Sequence, residues 1–249
     1  MDSMTYRMLN AGEQGLVVEL GDTIDPVLNR RVRALADGIR KLSHPSIIEI
    51  VPSYRSLLIY FDPLSLPRNE LCSMAISILG KEEASTIAEN KSRTIVIPVC
   101  YGGDFGPDLA FVAEYARLKE KEVIAKHSGS SYLVYMLGFM PGFPYLGGLP
   151  EELAVPRLDK PRTKIPAGSV AIAGNQTGFY PLESPGGWRL IGRTPIFSLA
   201  YPMNGAPLFM QGDYLKFQAI SGSRYEKILR EVETGRYKAE VIVGDGGGP

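Results

Sequence analysis

The segments 128-SGSSYLVYMLGFMPGFPYLGGLP-150, 165-IPAGSVAIAG-174 and 184-SPGGWRLIGRTP-195 decide the fold of this 249-residue chain. Residues 128–212 hold 13 of its 27 glycines and 11 of its 19 prolines but only ten charged side chains. Glycine opens backbone conformations closed to other residues, and proline fixes φ and removes a donor. A linker of similar content would lack the aromatic and aliphatic residues interleaved here, among them Phe139, Phe143, Tyr145, Val170, Ile172, Tyr180, Ile191 and Phe197. Short apolar runs between Gly/Pro turns from Ser131 onward predict an antiparallel barrel or sandwich. Conformationally demanding loops on such a scaffold commonly carry function, so a site is sought among them.

Upstream the pattern changes. A strand over Gln14–Leu20 precedes Asp25-Pro26, an N-cap followed by a first-turn proline. Leu28, Val32, Leu35, Ile39 and Leu42 then recur at helical spacing. Ser46–Val51 and Ser56–Phe61 read as strands, and Pro67 opens a second helix with Leu71, Ala75, Ile78 and Leu79 inward. Arg93–Val99 is expected to supply the last strand of a ferredoxin-like, split βαβ unit. The polar segment Lys81–Ser92 marks the end of this domain. The chain therefore reads as α+β: an N-terminal domain over residues 1–92, a mostly β domain over 93–243 with a closing helix at Ser223–Thr234, and a frayed tail over 244–249.

With 27 basic and 27 acidic residues there is no global field to attract nucleic acid or an anionic membrane. The opening residues lack a signal-peptide core, and glycines and prolines interrupt the uncharged run 128–150, so neither export nor a membrane span is expected and the location is cytoplasmic. Cys72 and Cys100 lie far apart with no zinc-type spacing, so no metal bound by Cys/His is expected. Neither a phosphate-binding P-loop, a dinucleotide fingerprint nor a biotin attachment site is present.

His127 leads into the Gly/Pro-rich stretch. It is suited both to capping the preceding helix and to acid/base work near neutral pH. Arg157, Arg162, Lys164, Arg189 and Arg193 face four carboxylates in the same stretch. They suit either local pairing with Glu151, Asp159 or Glu183, or a shared carboxylate or phosphate ligand. Gln176, in a turn between glycines, offers donor and acceptor to an amide. Trp188, the single tryptophan, reads as a half-buried cleft wall.

At the stretches 127–150, 156–195 and 97-IPVCYGGDFGPDL-109 the chain resembles the bacterial 5-oxoprolinase B-subunit family. That family includes a sporulation-kinase inhibitor, and it is similar to the first subunit of allophanate hydrolase and to a carboxyltransferase part of urea amidolyase. The resemblance implies a cyclophilin-like C-terminal barrel. It implies the 5-oxoprolinase subunits C and A as partners in the ATP-dependent opening of 5-oxoproline to glutamate, with ATP as co-substrate. It also leaves a second role open, inhibition of a sensor histidine kinase. The matched motif positions are His127 as the catalytic candidate, Arg157, Arg162, Gln176, Trp188 and Arg193 as substrate contacts, and Pro141, Gly142 and Gly192 as loop backbone.

Overall fold

The computed structural model describes residues 6–84, 93–199 and 206–244. The chain divides into two compact units, Met1–Asn90 and Lys91–Pro249. Residues 85–92, most of the expected boundary segment, and residues 245–249 of the expected tail lie outside the described residues.

The first unit is an antiparallel four-stranded sheet with two helices. Its elements are β1 (Arg7–Ala11), β2 (Gly15–Glu19), α1 (Pro26–Lys41), β3 (Ile47–Pro52), β4 (Ser56–Phe61) and α2 (Arg68–Ala84), with sheet order β1-β2-β4-β3. Asp25 caps α1 as expected: its carboxylate accepts the amides of Val27 at 2.8 Å and Leu28 at 3.0 Å. Val32, Leu35 and Ile39 bury against Leu16, Val18, Leu57, Ile59 and Phe61 of the strands and Leu71, Ala75 and Leu79 of α2. Leu42 falls past the helix end and is exposed instead.

Because β4 lies between β2 and β3, these two run parallel around it, with α1 as their connection. The remaining outer place, beside β2, is taken by β1 and not by Arg93–Val99. The reason is burial. β1 is largely exposed and suits an edge, whereas residues 95–100 are buried on both faces and need neighbours on both sides.

The segment Arg93–Tyr101, β5, therefore opens the second unit. After a 3₁₀ turn at Gly103–Phe105 come α3 (Leu109–Tyr115), α4 (Glu120–Gly129), β6 (Ser131–Leu137) and β7 (Pro144–Gly147). Next are β8 (Arg162–Ile165), β9 (Ser169–Ala173), β10 (Gln176–Phe179), β11 (Ser184–Gly186) and β12 (Arg189–Arg193). The last elements are β13 (Tyr214–Ala219), α5 (Gly222–Glu233) and β14 (Val241–Val243).

Seven strands close into a barrel in the order β5-β12-β9-β10-β7-β6-β13 and back to β5, while β14 lies along the first residues of β5. The β13–β5 pair is parallel and the other pairs are antiparallel. β9 shows how the wall is used. Val170 and Ile172 join the interior with Ile97, Tyr132, Ile191, Leu215 and Phe217, and the intervening Ala171 and Ala173 belong to a second apolar cluster on the opposite face. The two-stranded β8–β11 ribbon contributes Ile165 to that outer cluster.

Closure rests on two residue pairs, Gly192↔Tyr101 and Arg193↔Cys100, just beyond a bulge in β12. A Cβ on Gly192 would lie 2.7 Å from Val99 Cγ1 and 2.8 Å from the Cys100 carbonyl oxygen, so only glycine lets β5 approach this closely. Gly192→Ala is expected to destabilise the barrel by about 1–3 kcal/mol, the range for overpacking a filled site. Urea unfolding followed by the fluorescence of Trp188, which lies in this unit, measures it. Gly80→Ala, in open space on α2, should instead stabilise the first unit by roughly 0.5–1 kcal/mol, read by far-UV circular dichroism.

Candidate functional site

The loop between β6 and β7 closes on itself through three short backbone bonds. The Gly138 amide donates to the Phe143 carbonyl at 3.2 Å, Met140 to Gly138 at 2.8 Å and Phe143 to Met140 at 3.1 Å. The tight path places Gly142 at φ +75° and, at a cost in backbone strain, Phe139 at φ +66°, a residue left 67% exposed. Leu137, Phe139, Met140, Pro141 and Gly142, with Pro207, border an open apolar cavity of about 450 Å³.

Behind the loop stands the outer cluster, in which Phe143 is the hub. Its ring lies 5.2 Å from Tyr145, 5.4 Å from Tyr180, 5.6 Å from Trp188 and 5.5 Å from Phe139, all edge-to-face. Such pairs add roughly 0.5–1.5 kcal/mol each beyond their burial and hold the ring positions fixed. Burial pushes the Tyr180 hydroxyl up to about 12, against the pull of the nearby Arg157 guanidinium, the Trp188 backbone amide and Arg162. Tyr180 is thus a neutral hydroxyl at physiological pH, beside a cation. Arg157 itself is exposed. Trp188, expected to be a half-buried wall, is buried at 6% exposure and supports the face from behind.

Arg162 is committed elsewhere. Its two Nη groups donate to Asp108 at 2.8 and 2.9 Å, and the same carboxylate accepts the Leu190 amide at 2.7 Å. The Asp108 amide in turn donates to the Leu190 carbonyl at 2.8 Å. This clamp ties the start of α3 to β8 and β12. Asp108 lies 54 residues from Arg162, beyond the reach of any pairing inferred from nearby carboxylates along the chain. Lys164 does pair locally, with Glu183 at 3.1 Å, and Arg189 stacks over the Phe111 ring at 3.6 Å.

The structure separates the remaining sequence candidates. Gln176 begins β10 and is half-buried opposite Ala173. Gly192 and Arg193 sit at the barrel seam. His127 lies in the last turn of α4, fully buried in the barrel core. Its ring stacks on Phe217 at 4.5 Å and meets Tyr132 at 5.4 Å.

Both imidazole nitrogens are engaged. Thr177 donates its hydroxyl proton to the Ala171 carbonyl at 3.0 Å, so at 2.8 Å it accepts from His127 Nε2–H. His127 Nδ1 is left to accept the Tyr101 hydroxyl proton at 2.7 Å. Desolvation lowers the His127 pKa from 6.5 to about 3, so the ring is neutral, and burial likewise holds Tyr101 protonated. In this geometry His127 links α4 to β5 and β10; it does not line the cavity. The described residues contain no group of His, Cys, Asp and Glu able to hold a metal ion, and no helix among them is long and apolar enough to cross a membrane.

Residues 6–202 match the family described as "Carboxyltransferase domain, subdomain C and D". A 5-oxoprolinase B subunit of Bacillus subtilis is 40% identical over 238 residues, covering 92% of this chain and 99% of that protein. The chain belongs to the 5-oxoprolinase B-subunit family. The Escherichia coli O157:H7 protein of the same name is 44% identical over 209 residues, 83% of this chain and 92% of its own length. The crystal structure of Kluyveromyces lactis urea carboxylase superimposes on 95% of this chain, and 24% of that one, with a TM-score of 0.76 at 21% identity, a likeness of fold alone.

For this member of the 5-oxoprolinase B-subunit family, the buried histidine has a measurable signature. Between pH 6.5 and about 3 the unfolded chain binds a proton at His127 that the folded chain refuses. The stability contributed by the neutral ring is therefore complete above pH 6.5 and lost as pH falls. From pH 6 to 5, before most carboxylates titrate, the unfolding free energy should drop with a slope approaching about 1.4 kcal/mol per pH unit. Urea titrations at several pH values test this, and ring nitrogen shifts at pH 5 should report the neutral Nε2–H form.

Proposed function

We propose that this protein is the B component of an ATP-dependent 5-oxoprolinase that opens 5-oxoproline to glutamate, and that it works with subunits C and A. The observation that carries this reading is the 40% and 44% identity, over nearly the full length of each, to two proteins of that name. In this reading the barrel is of the cyclophilin-like kind, as its closed seven-stranded ring accords with, and the first unit is ferredoxin-like through its split β2-α1-β3 arrangement with β4 between. The location is cytoplasmic.

The substrate is a stable five-membered lactam bearing a carboxylate. In the proposed reaction ATP activates the amide oxygen by phosphorylation, and the anionic species that follows needs fixed cations and neutral donors. The outer face offers that combination in Arg157, Tyr180 and the Phe139–Gly142 loop. Arg157 is the anion contact and the Tyr180 hydroxyl the neutral donor. Trp188, Pro141 and Gly142 shape the face, while Arg162 and His127 act by holding the barrel wall in place. Gln176 serves as an amide contact at the head of β10. ATP itself is assigned to the assembled complex.

Reconstitution with candidate A and C subunits tests the reading. The complex should release glutamate from 5-oxoproline with ATP consumption, and this chain alone should show neither activity. Arg157→Lys should raise the KM for 5-oxoproline by about tenfold or more, because it loses the planar fork that binds a carboxylate bidentately. Turnover by the isolated chain, or a complex that assembles yet leaves 5-oxoproline intact, would refute the assignment.

A further inference from the structure

Arg193 stands apart from the other arginines of the barrel. Its Nε is buried with no hydrogen-bond partner, a state shared by Arg93 Nε, but Arg93 reaches Asp213 and the Leu208 carbonyl through Nη2, whereas no Nη group of Arg193 bonds to a described residue. It forms no ion pair with any described carboxylate, although Asp104 and Glu226 are exposed on the neighbouring loop and helix. A buried donor left unmatched on a charged group calls for a partner the chain itself does not supply.

The surroundings are built. Arg193 ends β12 opposite Cys100, and its guanidinium lies 5.7 Å from the Phe105 ring. Phe105 packs at 4.7 Å on Tyr225 of α5, so that a loop, a strand and a helix meet around one cation. Tyr225 is buried at 5% exposure. Burial pushes its hydroxyl up and Arg193 draws it back, which places the two groups within electrostatic reach and keeps the phenol a donor. No hydrogen bond of that hydroxyl to a described residue competes for it. A Cβ at Gly168 would come within 3.2 Å of Arg193 Cγ, so the start of the aliphatic stem packs closely on the Gly168 backbone.

We infer that Arg193 and Tyr225, backed by Phe105, form an oxyanion-binding site for a carboxylate or phosphate group. The guanidinium fork supplies charge and two parallel donors, the phenol supplies a third, and the aromatic face restricts the cation's motion. This inference does not depend on the proposed enzymatic role. Tyr225 does not stand out in the sequence, and Phe105, though inside the 97–109 motif, is not marked there as a site residue.

The test uses the full chain, isotope-labelled, titrated separately with inorganic phosphate, acetate and 5-oxoproline while chloride holds the ionic strength constant. The Arg193 Nε–H signal and the amides of Phe105 and Tyr225 should shift saturably with at least one of these ions. Saturation by phosphate but not acetate identifies a phosphate-bearing ligand such as a nucleotide. The converse identifies a carboxylate, and a stronger response to 5-oxoproline than to acetate identifies the lactam acid. Arg193→Gln should weaken binding at least tenfold and Tyr225→Phe severalfold, with Lys227→Gln on the same helix unchanged. Should Arg193→Gln fail to fold, Tyr225→Phe and Arg193→Lys carry the comparison. Shifts that grow without saturating, no shift with any of the three, or unchanged binding in Tyr225→Phe and the Arg193 variants would overturn the site.

Discussion

The barrel depends on a short seam. β5 pairs with β13 over residues 94–99 and with β14 over residues 93–95, and reaches β12 with only Cys100 and Tyr101. A sheet that closes has no free edge to satisfy, but the closing contact must then bring two backbones together where side chains would otherwise keep them apart. Gly192 meets that demand at the seam. The same two positions of β5 also deliver Tyr101 inward to His127 and set Cys100 opposite Arg193, so the core and the surface cation are aligned by one pairing.

Polar groups inside the barrel extend that constraint. Tyr101, His127, Thr177 and the Ala171 carbonyl form one directed chain of hydrogen bonds in which each donor has an acceptor. An imidazole left unpaired in such surroundings would be costly, and a charged one more so. Fully matched, the chain fixes the spacing between α4, β5, β9 and β10 more narrowly than apolar packing alone. Asp108 does the same on the outer side, where one carboxylate serves both Arg162 and the Leu190 amide.

These commitments sort the charged residues of the loop-rich stretch into different kinds of work. Arg162 and Lys164 are neutralised by partners, and Arg189 is spread on an aromatic ring. Arg157 and Arg193 have no ion pair among the described residues, and their charges act on different phenols, Tyr180 and Tyr225. A single cleft gathering all the arginines is therefore not what the fold builds.

The N-cap at Asp25, the inward faces of the first two helices and the β-rich character of the second half followed from the sequence, because capping and periodicity are local and need only neighbours within a few turns. The motifs over 97–109, 127–150 and 156–195 were enough to point to the family. Three things were settled only in three dimensions. Arg93–Val99 went to the barrel because strands compete for partners by burial on both faces, which spacing does not show. His127 went to the core because its partners, Tyr101 and Thr177, lie 26 and 50 residues away. Arg162 was neutralised and Arg193 left unpaired because the position of Asp108, far along the chain, decides which cation it meets. Charge pairing and burial are properties of distance in space, and tertiary structure alone sets that distance.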